Sequence, residues 1–217
     1  MATEVVLKNK KPELFEGDLP EERLNHYLKK PVIAIDTETR GLIVHRDRLC
    51  LVQISDEEGL VSLVRFKDKA ELPKDNTNLK KLLEAPQVVK LFHFGRFDIA
   101  VMRYYLKAKT NPVWCTKIAS KLVRTYTDRH SLKDLLRELL NYEADKTDQT
   151  SDWAREDLSE SQLEYAANDV RYLHRLQDKL KALLVREGRL DLAERLFQAL
   201  PSVCELDLLG FQNIFDH

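Results

Sequence analysis

The chain has 217 residues, 43% of them hydrophobic and 33% charged, with a net charge of -1. That is enough apolar material for one domain, taken here as 1–217 with a helical C-terminal extension over about 186–217, and too little positive charge for a protein that grips long nucleic acid by bulk attraction. Three scattered cysteines without a CxxC pair (Cys50, Cys115, Cys204) read as reduced, buried thiols, and no stretch approaches the ~18 apolar residues of a membrane helix, so a cytoplasmic protein without membrane contact is expected.

The first thirty residues are polar, with one short helix predicted at "EERLNHYLKK". Val32 to Asp36 is a short apolar strand ending in charge. "RLCLVQIS" (48–55) and "GLVSLVRF" (59–66) alternate and are separated by a charged turn, which predicts an antiparallel hairpin. "NTNLKKLLEA" is helical, "QVVKLFHF" a strand, and "GRFDIAVMRYYL" helical again with Ile99, Met102 and Leu106 on one stripe. "VWCTKIASKLVRTY" is a brief strand running into a helix, and "SLKDLLRELLNY" an amphipathic helix capped by Ser131. "LSESQLEYAANDVRYLHRLQDKLKALLVREG" reads as the longest helix, opened by Ser159 and Gln162 and closed near Gly188. "RLDLAERLFQAL" continues helically to Pro201, and "ELDLLGFQNIFDH" is an apolar tail that either folds back or meets a partner. The expected fold is α/β: a mixed sheet with an antiparallel three-strand start, flanked by helices.

Acids stand in unexpected places. Asp36 and Glu38 share one face at the end of the first strand, where like charges repel unless a cation lies between them. Asp98 follows a later strand inside the apolar start of a helix. Tyr165 and Asp169 fall at i and i+4 on one helix face, beside the small Ala166 and Ala167. Singly, each has a plain structural account: a solvated strand end, a helix cap, a surface pair. Together, at element ends that could converge, four carboxylates offer all-oxygen ligands for two hard cations, Mg²⁺ or Mn²⁺, of the kind that assist in-line phosphoryl displacement.

The motifs "DTET", "HFGRFD" and "YAAND" resemble the three exonuclease motifs of the DEDD superfamily of 3′→5′ exonucleases, in its tyrosine-containing branch, over about Val32 to Leu180. The stretch from Asp145 to Leu176 is similar to the ribonuclease D group, and "RDRLCLVQIS" and "ELDLLGFQNIF" to the nanoRNase C family of small bacterial oligoribonucleases. The resemblance implies a ribonuclease-H-like fold, with Asp36, Glu38, Asp98 and Asp169 as metal ligands and Tyr165 beside the attacking water. It also implies substrate contacts: backbone groups of the Thr39–Leu42 loop, a wedging Leu42 and a substrate-side His93, a minor core leucine and a structural histidine being the alternatives. Lys146, Gln149 and Trp153 lie in a loop expected over the site, where a lysine answers phosphate and a tryptophan packs a sugar, or simply anchors the loop. The run Lys117, Lys121, Arg124, Arg129 reads as a guide for nucleic acid or as a solvated face. The expected activity is hydrolysis of very short RNA from its 3′ end, by a homo-oligomer that the resemblance makes an octameric ring. Ribonuclease D enzymes carry further C-terminal helical domains, for which a chain ending at His217 leaves no room. Trimming of longer RNA, DNA hydrolysis and an inert nucleic-acid-binding scaffold are the alternatives, the last disfavoured because every acid is in place.

Overall fold

Val32 to Thr39 forms a strand four residues longer than its apolar run, because Asp36 to Thr39 continue to pair with the next strand. The computed structural model describes residues 10–67, 76–143 and 151–214. Within them lie strands β1 (Glu13–Glu16), β2 (Val32–Thr39), β3 (Leu49–Ser55), β4 (Val61–Arg65), β5 (Val89–Phe92) and β6 (Val113–Cys115). The helices are α1 (Glu21–Tyr27), α2 (Asn78–Glu84), α3 (Arg96–Leu106), α4 (Thr116–Val123), α5 (Leu132–Leu140), α6 (Glu160–Arg171), α7 (Leu173–Arg186) and α8 (Leu190–Leu208).

The sheet order is β1-β4-β3-β2-β5-β6. β2, β3 and β4 form the expected antiparallel meander, and β5 and β6 extend it in parallel beyond β2. β2 is therefore central, which explains its continuous burial from Ile33 to Ile35. β1 was not expected: "ELFE" has no strong apolar period, and only edge pairing with β4, in parallel, makes it a strand.

Two further expectations are corrected. The predicted longest helix is two helices that part at Tyr172, so that α6 packs across β2, β3 and β4 while α7 turns onto α4 and α5. The longest is α8, which runs through Pro201 to Leu208 rather than stopping at the proline. An interior proline costs a helix about 3 kcal/mol through its missing N–H and ring clash. Burial of Phe197, Leu200 and Cys204 on the face toward α3 and β6 offsets that cost. The apolar tail thus begins later than expected, at Leu209, with Leu209, Phe211 and Ile214 exposed; Phe215 lies outside the described residues. No helix among the described residues is long and apolar enough to cross a membrane.

Candidate active site

The last residues of β2 carry Asp36 and Glu38 toward the face covered by α6. The capping box of Ser159 and Gln162 sets where that helix starts, and its buried Ala166 and Ala167 allow close approach to the sheet. Asp169 of α6 thereby reaches β2, and one oxygen each from Asp36, Glu38 and Asp169 lie within 4.8 Å of one another. Thr37, between the two acids and directed to the other face, donates its hydroxyl to Asp98 Oδ1 of α3 at 2.6 Å. The sequence reading did not single out Thr37; an isolated threonine in a strand carries no signal of its own.

Burial acts on all four acids in one direction, and neighbouring charge adds to it at Asp36, Glu38 and Asp169. Burial first, then the charges of Asp98, Asp169 and Glu38, push Asp36 well above the usual carboxylate range. Burial, then Asp169 and Asp98, does the same to Glu38. Burial raises Asp98 to about 7 against the opposing Thr37 hydrogen bond, and raises Asp169 to about 7 against the hydrogen bond from Tyr165. Carboxylates that resist ionising next to one another are a site that gains from a cation. The donor set is entirely oxygen, which suits Mg²⁺ or Mn²⁺ rather than a thiolate- or imidazole-seeking metal.

Tyr165 hydrogen-bonds Asp169 one turn along α6, and burial, Asp169 and Glu38 push its phenol higher than an ordinary tyrosine. Trp153 is 4% exposed, its ring centroid 6.2 Å from that of Tyr165, so its indole is packed behind the tyrosine. His93 places Nδ1 2.8 Å from the Thr116 hydroxyl, which itself donates to the Phe92 carbonyl at 3.2 Å. With the Thr116 proton so used, Nδ1 is the donor and Nε2 is left as an acceptor. Burial, then Lys117, holds His93 down to about 3, so the ring is neutral.

The loop after β2 is tied at both ends. Thr39 Oγ1 donates to the Gly41 carbonyl at 2.5 Å, and Asp47 accepts from the Ile43 N–H at 2.9 Å and from Arg46 at 2.7 Å. A Cβ at Gly41 would press on the Asp47 carboxylate, so a larger residue there would displace the side chain that pins the loop. It carries Leu42 outward, 84% exposed. After β5, Phe94 holds a left-handed φ of 62°, and the Lys117 ammonium lies 3.9 Å from its ring centroid. Gly95 follows because any Cβ there would meet Phe92 at 2.7 Å. The basic run does not form one face: Arg124 is buried, donating to Ser120, the Arg129 carbonyl and Glu138. Lys146 and Gln149 lie outside the described residues.

A 3′–5′ exonuclease family profile matches residues 15–185. Ribonuclease D of Gluconacetobacter diazotrophicus is 33% identical over 163 residues, 75% of this chain and 40% of its own length. The chain thus spans well under half of that curated relative. Among solved structures, Brucella melitensis NrnC with bound Mg²⁺ has a TM-score of 0.86 at 48% identity, covering 93% of this chain and 96% of that one. The same nuclease bound to pGG has a TM-score of 0.86 at 49% identity, covering 92% and 94%. These likenesses agree with the ribonuclease-H-like arrangement of the mixed sheet and its flanking helices.

Proposed function

The chain belongs to the 3′–5′ exonuclease family and, within it, to the NrnC nucleases, and on that premise we propose that it hydrolyses very short RNAs, dinucleotides included, from the 3′ end to nucleoside 5′-monophosphates. The observation that carries this reading is the meeting of Asp36, Glu38 and Asp169 within 4.8 Å, with Asp98 close enough to raise Asp36.

Asp36, Glu38, Asp98 and Asp169 would hold two divalent cations. Such ions, when bound, acidify the attacking water and neutralise charge on the attacking and leaving oxygens. The remaining work belongs to the chain. Tyr165 keeps its proton, because its surroundings raise its pKa, and spends it on Asp169. Its oxygen lone pairs are then free to accept from a water and fix that water's direction, an orienting role rather than that of a general base. Neutral His93 offers Nε2 as an acceptor to a sugar hydroxyl. The exposed Leu42, on a loop closed by Asp47 and Gly41, is suited to part the last two bases and so select the scissile bond. Thr39 secures the start of that loop, Trp153 backs Tyr165, and Lys146 and Gln149 are the proposed partners of the substrate's 5′ end.

The preference for short substrates is supported by the near-neutral charge and by the extent of the likeness to NrnC, a structure of which holds pGG. We further propose a cytoplasmic homo-oligomer, an octameric ring as the resemblance implies. The exposed Leu209, Phe211 and Ile214 supply apolar surface for such a contact, and the described cysteines are free thiols. Light scattering that found a monomer at micromolar concentration would reject the assembly. The activity is tested by product sizes over time on labelled RNAs from two to about ten nucleotides, with Mg²⁺ and with EDTA. Steadily rising efficiency with length would favour ribonuclease D-type trimming, and preference for deoxyribose would favour a DNA exonuclease. No hydrolysis in Mg²⁺ would leave a binding scaffold.

A further inference from the structure

Gln53 sits in the middle of β3 and is 0% exposed, and neither atom of its amide has a hydrogen-bond partner among the described residues. An amide so buried and unpaired is costly, and an apolar side chain of the same length would avoid the cost. Its position is fixed by register: Gln53 is the cross-strand partner of Asp36 on β2, with Leu63 on its other side in β4. Directly opposed residues of an antiparallel pair project from the same face, so Gln53 stands beside Asp36 under α6. The buried hydrogen-bonding side chains of α6 are engaged elsewhere, Gln162 with the Ser159 N–H and the Asp152 carbonyl, and Arg171 with Glu164, Asn168 and the Lys10 carbonyl. Backbone groups of β3 are spent on its two neighbouring strands. Asp36 is the acceptor that the register sets next to this amide.

We propose that Gln53 is a positioning residue for Asp36: its amide N–H orients that carboxylate, directly or through one water, when a cation is held by the acidic cluster. The proposal rests on the metal-binding reading of that cluster. Gln53 touches neither substrate nor cation; it acts by holding a ligand at the angle binding needs. Groups placed behind metal ligands in this way commonly change affinity by about 10- to 100-fold.

The test uses the full chain and Mg²⁺ alone. Gln53→Met keeps the length and removes the amide, and Gln53→Asn keeps the amide but draws it back by one methylene. Isothermal titration with Mg²⁺ and thermal melting without metal are measured for all three proteins. The expected result is Mg²⁺ binding weakened about tenfold or more in Gln53→Met, intermediate in Gln53→Asn, with a metal-free Tm for Gln53→Met equal to or above that of the unaltered protein. Mg²⁺ affinity unchanged in both variants would overturn the proposal and leave Gln53 a packing residue. Absence of Mg²⁺ binding by the unaltered protein would overturn the reading of the cluster itself, and the proposal with it.

Discussion

Thr37 and Asp98 are joined by a 2.6 Å hydrogen bond between the end of β2 and the first turn of α3. The bond ties an acid from the second motif to the strand that carries the first, and it opposes the burial that raises Asp98 to about 7. Thr37→Val keeps the shape and deletes the donor. We expect Mg²⁺ to be needed at about tenfold higher concentration for half-maximal rate, with a small loss of thermal stability. Unchanged Mg²⁺ dependence would show that α3 alone positions Asp98.

The metal-free protein should be less stable at pH 8 than at pH 5. Asp98 and Asp169 have folded values of about 7, against about 3.9 for an unfolded aspartate. Between those values the folded state holds protons that the unfolded state has released, so stability falls as pH rises through about 7. Saturating Mg²⁺ should reverse the trend, because it binds the ionised form. Asp36→Asn should raise the metal-free Tm at pH 8 by relieving repulsion, and lower turnover by orders of magnitude. Melting curves at the two pH values, with and without Mg²⁺, check both; a metal-free Tm that rises toward pH 8 would contradict the shifts.

Tyr165→Phe retains the ring over Trp153 and loses the hydroxyl. If the hydroxyl orients water, kcat should fall by about 100-fold while KM changes little. The pH profile should show no new limb near neutrality, since the phenol does not ionise there. An unaltered kcat would make Tyr165 a purely structural partner of Asp169.

Leu42 is the exposed apolar side chain of a loop that is otherwise pinned. Leu42→Ala should leave folding intact, as the side chain buries almost nothing in the free protein. Dinucleotide kcat/KM should drop by about tenfold, on the order of the energy of one lost base stack, and the two-nucleotide substrate should lose more than a seven-nucleotide one. Equal losses at both lengths would mean that Leu42 contributes only general binding.

Local signals carried much of the architecture. The alternation in "LCLVQIS" and "VSLVR", the caps Ser131 and Ser159, and the apolar stripe of α3 are all decided within a few residues of themselves, and those features appear as read, although the helix that Ser159 opens ends earlier, at Arg171. Asp36, Glu38 and Asp98 stood out for a related reason: a carboxylate at the end of a buried strand, or inside an apolar helix start, contradicts its neighbours; Tyr165 and Asp169 stood out as an i, i+4 pair and through the motif they resemble. Other features have no local cause. β1 is a strand only because β4 lends it an edge, Pro201 stays helical only because its flanks are buried, and α6 parts from α7 where two packing surfaces diverge. Trp153 behind Tyr165, Thr37 under Asp98 and Gln53 beside Asp36 join residues distant along the chain. Their meaning arises from which faces meet when the sheet is assembled, and a linear pattern does not contain that information until long-range pairing has brought those faces together.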